Sequence, residues 1–227
     1  MKSIQFLPFM LLLFLFSCGK LATTPEDKKS VDEVQKFYGG FVQTMKGVQN
    51  LNGKSSNFFE VEIKDSKLIN KQPQRAASNA ANIAFMIFQN QKPESSYDII
   101  KTKLLFPDGA SFSKSFTKEE LQEVKNIFPE IDKINSHLIN KDYDGILEMF
   151  DDRFRPADKS VKEGLSRMDS EMGVIKKIQF QGFEFIDDSN LGNTVLIREV
   201  SERDQLFPFI NVAFDRKTKK VLNIEFP

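Results

Sequence analysis

The sequence contains no tryptophan, one cysteine and one histidine in 227 residues, and its 32 basic residues balance 32 acidic ones. A single cysteine excludes a disulfide framework and a multi-cysteine zinc site. A single histidine argues against a histidine-rich metal centre. A net charge of zero leaves no excess of positive charge to attract the phosphates of a nucleic acid. We therefore expect neither a cofactor nor a metal centre nor a nucleic-acid partner.

The chain opens with an apolar run. Lys2 precedes residues 4–16 (IQFLPFMLLLFLF), and the small residues Ser17-Cys18-Gly19 follow. Such a run is typical of a secretory signal and falls short of the roughly 20 residues that a spanning helix needs. Leu15-Phe16-Ser17-Cys18 resembles the lipobox of bacterial lipoproteins, in which a peptidase cuts before a cysteine that carries lipid on its thiol. Phe16 is bulkier than the usual occupant of its position.

The lipobox resemblance implies a signal peptide over residues 1–17, lipidation of Cys18 and a flexible tether over residues 18–29. It also implies attachment to a membrane of the bacterial cell envelope, facing the periplasm or the cell surface. The alternative is that Cys18 is an ordinary buried thiol at the end of an anchor that is not cleaved.

Residues 30–116 are predicted to form a small α+β unit. A spacing of three and four residues predicts one helix through Val34, Phe37, Phe41, Met45 and Val48. Alternation of apolar and charged residues predicts a strand over residues 59–63. Pro73 opens a helix through Gln89. Two strands follow, over residues 97–106 and 111–116.

Residues 117–227 are predicted to form three helices followed by a curved antiparallel sheet of four strands. Thr117 and Glu120 form a capping box that starts the first helix. Pro129 is expected to kink or restart this helix while its buried face continues. Further helices start near residues 142 and 160. The apolar phase slips at Gly182, which indicates a β-bulge. The strands are expected from 174 to 186, 195 to 200, 206 to 214 and 221 to 226.

The stretch from about Ile131 to Phe226 resembles the nuclear-transport-factor-2-like (cystatin-like cone) superfamily. The residues that carry the resemblance are Ile139-Asn140-Lys141-Asp142-Tyr143-Asp144, the following Ile146–Phe150, and the terminal hairpin over residues 211–226. The resemblance implies a cone-like sheet that cups helices. This fold hosts enzymes, pocket binders and dimerisation modules, so it does not select a function.

Phenylalanine is unusually frequent, with 23 residues. Many lie on the predicted curved sheet, where they either fill the core or leave an apolar pocket lined by Phe180, Phe183, Phe185 and Phe209. Both faces of residues 206–214 are largely apolar, so this strand is also a candidate dimer face for a second copy.

Catalytic candidates are few. His137 is expected at the edge of a helical apolar stripe; as a general base in the cone cavity it would need Asp142 or Glu184 to orient it. Asp151-Asp152 reads as a solvated turn rather than an acid–base pair. The loop from Asp187 to Asn193 lacks the later glutamate of an EF-hand.

The sequence as a whole predicts a non-enzymatic, lipid-anchored envelope protein that acts as a protein-association or pocket-binding module. Its partner would be a second copy or another envelope protein. The main alternative is a carrier of a small apolar molecule in the cone cavity, and a cavity enzyme using His137 is the third possibility.

Overall fold

The computed structural model describes residues 23–51, 53–93, 97–188, 190–204 and 206–227. The predicted signal peptide and Cys18 lie outside these residues. The described chain has an α+β fold with two four-stranded sheets, which confirms the predicted fold class. The hydrophobic core of the described chain is drawn from residues 34–221.

The N-terminal half places one helix before the first sheet and one inside a crossover. In chain order its elements are α1 (Pro25–Tyr38), β1 (Phe41–Leu51), β2 (Lys54–Lys64), α2 (Lys67–Asn70), a 3₁₀ turn (Pro73–Arg75), α3 (Ala76–Gln89), β3 (Ile99–Leu105) and β4 (Ser111–Thr117). The sheet has the order β1-β2-β3-β4, and only β2 and β3 run parallel, because α3 forms the crossover between them.

The C-terminal half follows the predicted order of helices and then strands. Its elements are α4 (Lys118–Lys125), α5 (Phe128–Asn140), α6 (Tyr143–Glu148), α7 (Asp158–Met172), β5 (Lys177–Asp188), β6 (Gly192–Glu202), β7 (Phe209–Asp215) and β8 (Val221–Glu225). The four strands pair in sequence order and all are antiparallel. The predicted capping box at Thr117 is present, and Pro129 lies in the first turn of α5, where a new helix starts.

The predicted helix through Val34 and Val48 is wrong in its second half. α1 ends at Tyr38, and Gly39 and Gly40 both have positive φ, which turns the chain into β1. The apolar residues Phe41, Met45 and Val48 therefore lie on an edge strand and are exposed.

The start of the folded body is also earlier than predicted. Thr24 and Asp27 form a capping box, so α1 begins at Pro25 inside the segment expected to be tether. Asp27 is buried and forms a 2.6 Å ion pair with Lys46 of β1, whose side chain is only 8% exposed. The hydroxyl of Tyr97 donates to the same carboxylate at 3.2 Å. These contacts join the first turn of α1 to the first sheet.

α3 lies at the centre of the molecule. Ten of its residues are buried, and they cover its whole circumference rather than one stripe. It packs against β3 and β4 of the first sheet and against β5 of the second. The hydrophobic core is consequently one cluster that crosses the predicted domain boundary at residues 116 and 117.

β5 approaches α3 closely at the predicted bulge. The register between β5 and β6 shifts between Phe180 and Gly182, and Gly182 has φ 131°. A Cβ atom at this position would overlap the backbone carbonyl oxygen of Ser78 in α3. Glycine is therefore required both for the backbone conformation and for the contact between helix and strand.

We expect Gly182→Ala to lower the free energy of unfolding by about 3 kcal/mol, because it combines backbone strain with a steric overlap. Gly192→Ala is the matched control: φ there is also positive, at 77°, but a Cβ atom meets nothing within 4 Å. It should cost only about 1 kcal/mol. Urea unfolding of both variants measures the difference, and equal losses would contradict the proposed role of the Ser78 contact.

Candidate functional site

A cavity of about 290 Å³ lies between α5, α6, α7 and β8. Its wall is mainly apolar, and Ser160, Arg167 and Asn223 are its polar residues. The lining residues are Leu138, Ile146, Phe150, Phe154, Pro156, Ser160, Val161, Gly164, Leu165, Arg167, Met168, Asn223, Ile224 and Phe226. Ile224 pairs with Val212, which places the cavity on the face of the second sheet that is covered by helices. This volume is near the lower end of the range for small-molecule sites.

α7 forms one side of the cavity. Val161, Leu165 and Met168 recur at helical spacing and point toward it, and Leu165 is the only buried residue of this helix. Gly164 leaves open space, since a Cβ atom there would meet nothing within 4 Å. The cavity therefore exists partly because this position has no side chain.

A buried polar network holds the C-terminal end of α7. Arg203 is 2% exposed, and its guanidinium donates to Asp169 at 2.9 Å and to the carbonyl oxygen of Gly173. The hydroxyl of Tyr143 donates to the other oxygen of Asp169 at 2.9 Å. Burial raises the pKa of Tyr143 to about 12, so it remains a donor at physiological pH. The network fixes α7 against α6 and the turn after β6.

The four phenylalanines expected to line a pocket lie elsewhere. Phe183 is 1% exposed and packs against Phe116 and Phe185, with ring centroids 5.4 and 5.5 Å apart. Phe180 packs against Phe85 of α3 at 5.4 Å. These rings fill the core beside α3. None of the four, Phe180, Phe183, Phe185 and Phe209, is among the lining residues of the cavity.

Phe209 faces the opposite side of the second sheet from the cavity. The guanidinium carbon of Arg75 lies 3.6 Å from its ring centroid, which is a close cation–π contact. The neighbouring residues Ile210–Phe214 are buried within the single chain. The apolar character that suggested a dimer face on this strand is thus accounted for by packing inside the chain, and the exposed apolar residues are Leu206 and Phe207 in the preceding turn. A second copy or an envelope protein as partner stays a prediction.

The structure brings His137 together with one of its two expected partners. Its Nδ1 lies 2.8 Å from Asp142 Oδ2, while Asp142 Oδ1 accepts from the backbone N–H of Gly145 at the start of α6. Hydrogen bonds from Gly145 and His137 lower the pKa of Asp142. Glu184 is on the other face of the sheet, 3.3 Å from Arg198. His137 does not line the cavity, so the pair connects α5 to α6.

The remaining carboxylate candidates are Asp151-Asp152 and the loop from Asp187 to Asn193. Asp151 forms an ion pair with Arg153 at 2.8 Å, and this contact lowers the pKa of Asp151. The side chain of Asp188 lies outside the described residues. Among the side chains that the structure does describe, no group of three or more His, Cys, Asp or Glu is placed to hold a metal ion.

Glu199 is a buried carboxyl group that was not predicted from the sequence. It lies on β6, is 1% exposed, and faces α5, where Asn135 Nδ2 donates to Glu199 Oε1 at 2.8 Å. Glu199 Oε2 and Asn135 Oδ1 are both buried without a hydrogen-bond partner. Burial raises the pKa of Glu199 to about 7, and the charge of Asp132 acts in the same direction.

Protonation of Glu199 would give a hydrogen-bond partner to both of these oxygens, Glu199 Oε2 and Asn135 Oδ1. Each is an acceptor in the ionised form, but a proton on Glu199 Oε2 supplies an O–H that can donate to Asn135 Oδ1. The carboxylic acid and the amide would then exchange two hydrogen bonds. We therefore expect Glu199 to be neutral beneath α5 below about pH 7.

Comparisons of this chain with protein-family models, with curated proteins and with solved structures found no match. No helix in the described part of the chain is both long enough and apolar enough to cross a membrane.

The Glu199 pKa predicts a pH dependence of stability. Between the unfolded value of 4.5 and about 7, the folded protein holds a proton that the unfolded chain has released. The free energy of unfolding should therefore fall as pH rises through this window, by about 3 kcal/mol in total. Urea unfolding at pH 5 and pH 8 measures it. Glu199→Gln, which keeps a neutral donor and acceptor, should remove most of the difference, and an equally large difference in this variant would contradict the assignment.

Proposed function

We propose that this chain is a lipid-anchored protein of the bacterial cell envelope that binds a small apolar ligand and does not catalyse a reaction. The observation that carries this proposal is the cavity between α7 and the second sheet, whose lining is apolar apart from Ser160, Arg167 and Asn223. Most soluble proteins fill such spaces with side chains, because empty apolar volume lowers stability. A cavity kept open by Gly164 therefore points to an occupant.

We further propose that residues 117–227 form a nuclear-transport-factor-2-like (cystatin-like cone) domain. In support, α5, α6 and α7 precede a four-stranded antiparallel sheet that is bent by a bulge near Gly182. α5 packs on the face that carries Val195, Ile197 and Glu199. In this arrangement the cavity lies between the helices and the sheet.

The lining favours binding over catalysis. The cavity contains no carboxylate, histidine or cysteine among its described lining residues, and such groups are the usual acids, bases and nucleophiles of enzymes. The binding free energy would come from burial of hydrocarbon, at roughly 0.8 kcal/mol for each methylene group. Affinity should therefore rise about fourfold with each added carbon until the cavity is full.

The anchoring part of the proposal rests on the chain preceding the folded body. The only cysteine of the sequence stands at the position that the lipobox requires. Lipid chains hold a protein at a bilayer because each buried methylene adds to the free energy of attachment. Five residues lie between Cys18 and Thr24, the N-cap of α1, so six residue steps join the two positions.

Gly164→Leu tests the cavity. The leucine side chain enters open space, so it should block ligand binding while preserving or raising stability, since glycine costs a helix about 1 kcal/mol. Calorimetric titration of residues 23–227 with hexanol, octanol and decanol measures binding, after a cooperative thermal transition has verified folding. Ser166→Leu, on the exposed side of the same helix, is the control and should bind as the parent does.

Two results would overturn the cavity proposal. The first is the absence of saturable alkanol binding to the parent protein. The second is equal binding by the parent and by Gly164→Leu.

Cys18→Ser tests the anchor. We expect the parent to incorporate labelled palmitate in bacterial cells and to fractionate with membranes, and the variant to lose the label because serine has no thiol for the lipid. Ser17→Ala keeps a small residue before Cys18 and should be processed normally. Unchanged labelling of Cys18→Ser would overturn the proposed lipidation.

A further inference from the structure

Arg167 is the only charged side chain among the described residues that line the cavity. It lies on α7 one turn after Gly164, and helical side chains lean toward the N-terminus of their helix. Arg167 therefore belongs to the same wall of the cavity as Gly164. The cavity consequently has an apolar body and one cationic edge.

The other cations near this helix all have carboxylate partners. Lys159 lies 3.8 Å from Glu163 and Lys162 lies 2.6 Å from Asp144. Arg155, just before α7, lies 3.4 Å from Asp158. Arg167 forms no ion pair with any residue that the structure describes. Among the three cations of α7, Arg167 is therefore the one without a carboxylate partner in the described part of the chain.

We propose that the ligand of this cavity is an aliphatic carboxylate, with its hydrocarbon chain among the apolar lining residues and its carboxylate bound by Arg167. This inference rests on the proposed binding function and adds the chemical class of the ligand. A guanidinium matches a carboxylate because its parallel N–H groups can donate to both oxygens. The volume of about 290 Å³ corresponds to roughly ten water-sized groups, which suits a chain of medium length.

Arg167 is exposed, so its contribution is limited by solvent and by salt. An exposed ion pair of this kind is expected to favour the carboxylate over the matching alcohol by up to about fivefold in dissociation constant. The preference should shrink in 0.5 M NaCl, whereas the contribution of the hydrocarbon chain should not. The ionic part of binding can therefore be separated from the apolar part.

The test compares decanoate with decanol by calorimetric titration of the full chain at pH 6.5, where an aliphatic carboxyl group is ionised. We expect the parent to prefer decanoate by up to about fivefold. Arg167→Gln should lose this preference and keep the parent affinity for decanol. Lys159→Gln removes the same charge from an exposed position of the same helix and should retain the preference.

The outcomes distinguish the two proposals. Equal binding of decanoate and decanol by the parent would overturn the carboxylate assignment and leave the apolar cavity standing. A preference that survives in Arg167→Gln, or that is lost equally in Lys159→Gln, would also overturn the role of Arg167. Failure of both ligands to bind would overturn the proposed function together with this inference.

Discussion

α3 has to fit between two sheets, and the rest of the structure depends on this requirement. Its buried surface includes Ala76, Ala80, Ala81 and Ala84, and small side chains allow close approach from several sides. β5 of the second sheet can approach α3 equally closely because it has Gly182, which lies against the backbone of Ser78. Because β5 is held there, its bulge and the bend of the second sheet are fixed, and the sheet in turn sets the space that α5, α6 and α7 enclose.

Strands and helix starts were predictable where a local pattern agreed with burial. Alternation over residues 59–63 gave a strand, and the capping box at Thr117 gave the start of a helix. The prediction for the region after Tyr38 was wrong because the apolar spacing of Phe41, Met45 and Val48 imitates a helical stripe. A signal was present in the sequence, since consecutive glycines at 39 and 40 end α1. The exposed positions of those apolar residues depend on tertiary structure and carry no local signature.

The site was harder to predict than the fold. The abundance of phenylalanine on β5 suggested a pocket, but rings such as Phe183 complete the core beside α3. Their aromatic partners, Phe85 of α3 and Phe116 of β4, come from far along the chain. The observed cavity depends instead on a missing side chain at Gly164 and on helix placement, neither of which has a sequence pattern. Glu199 was detectable in principle, because it continues the buried register of Val195 and Ile197 along β6.

The short distance between Cys18 and the first turn of α1 limits where the folded body can be. Six extended residues reach at most about 20 Å, and the capping box together with the Asp27–Lys46 ion pair prevents α1 from unwinding to lengthen that reach. With lipid on Cys18, the cavity would therefore stay within one molecular diameter of the bilayer. A molecule that enters it would be collected from the membrane or from its immediate neighbourhood, and delivery across the envelope would require a second protein to come to it.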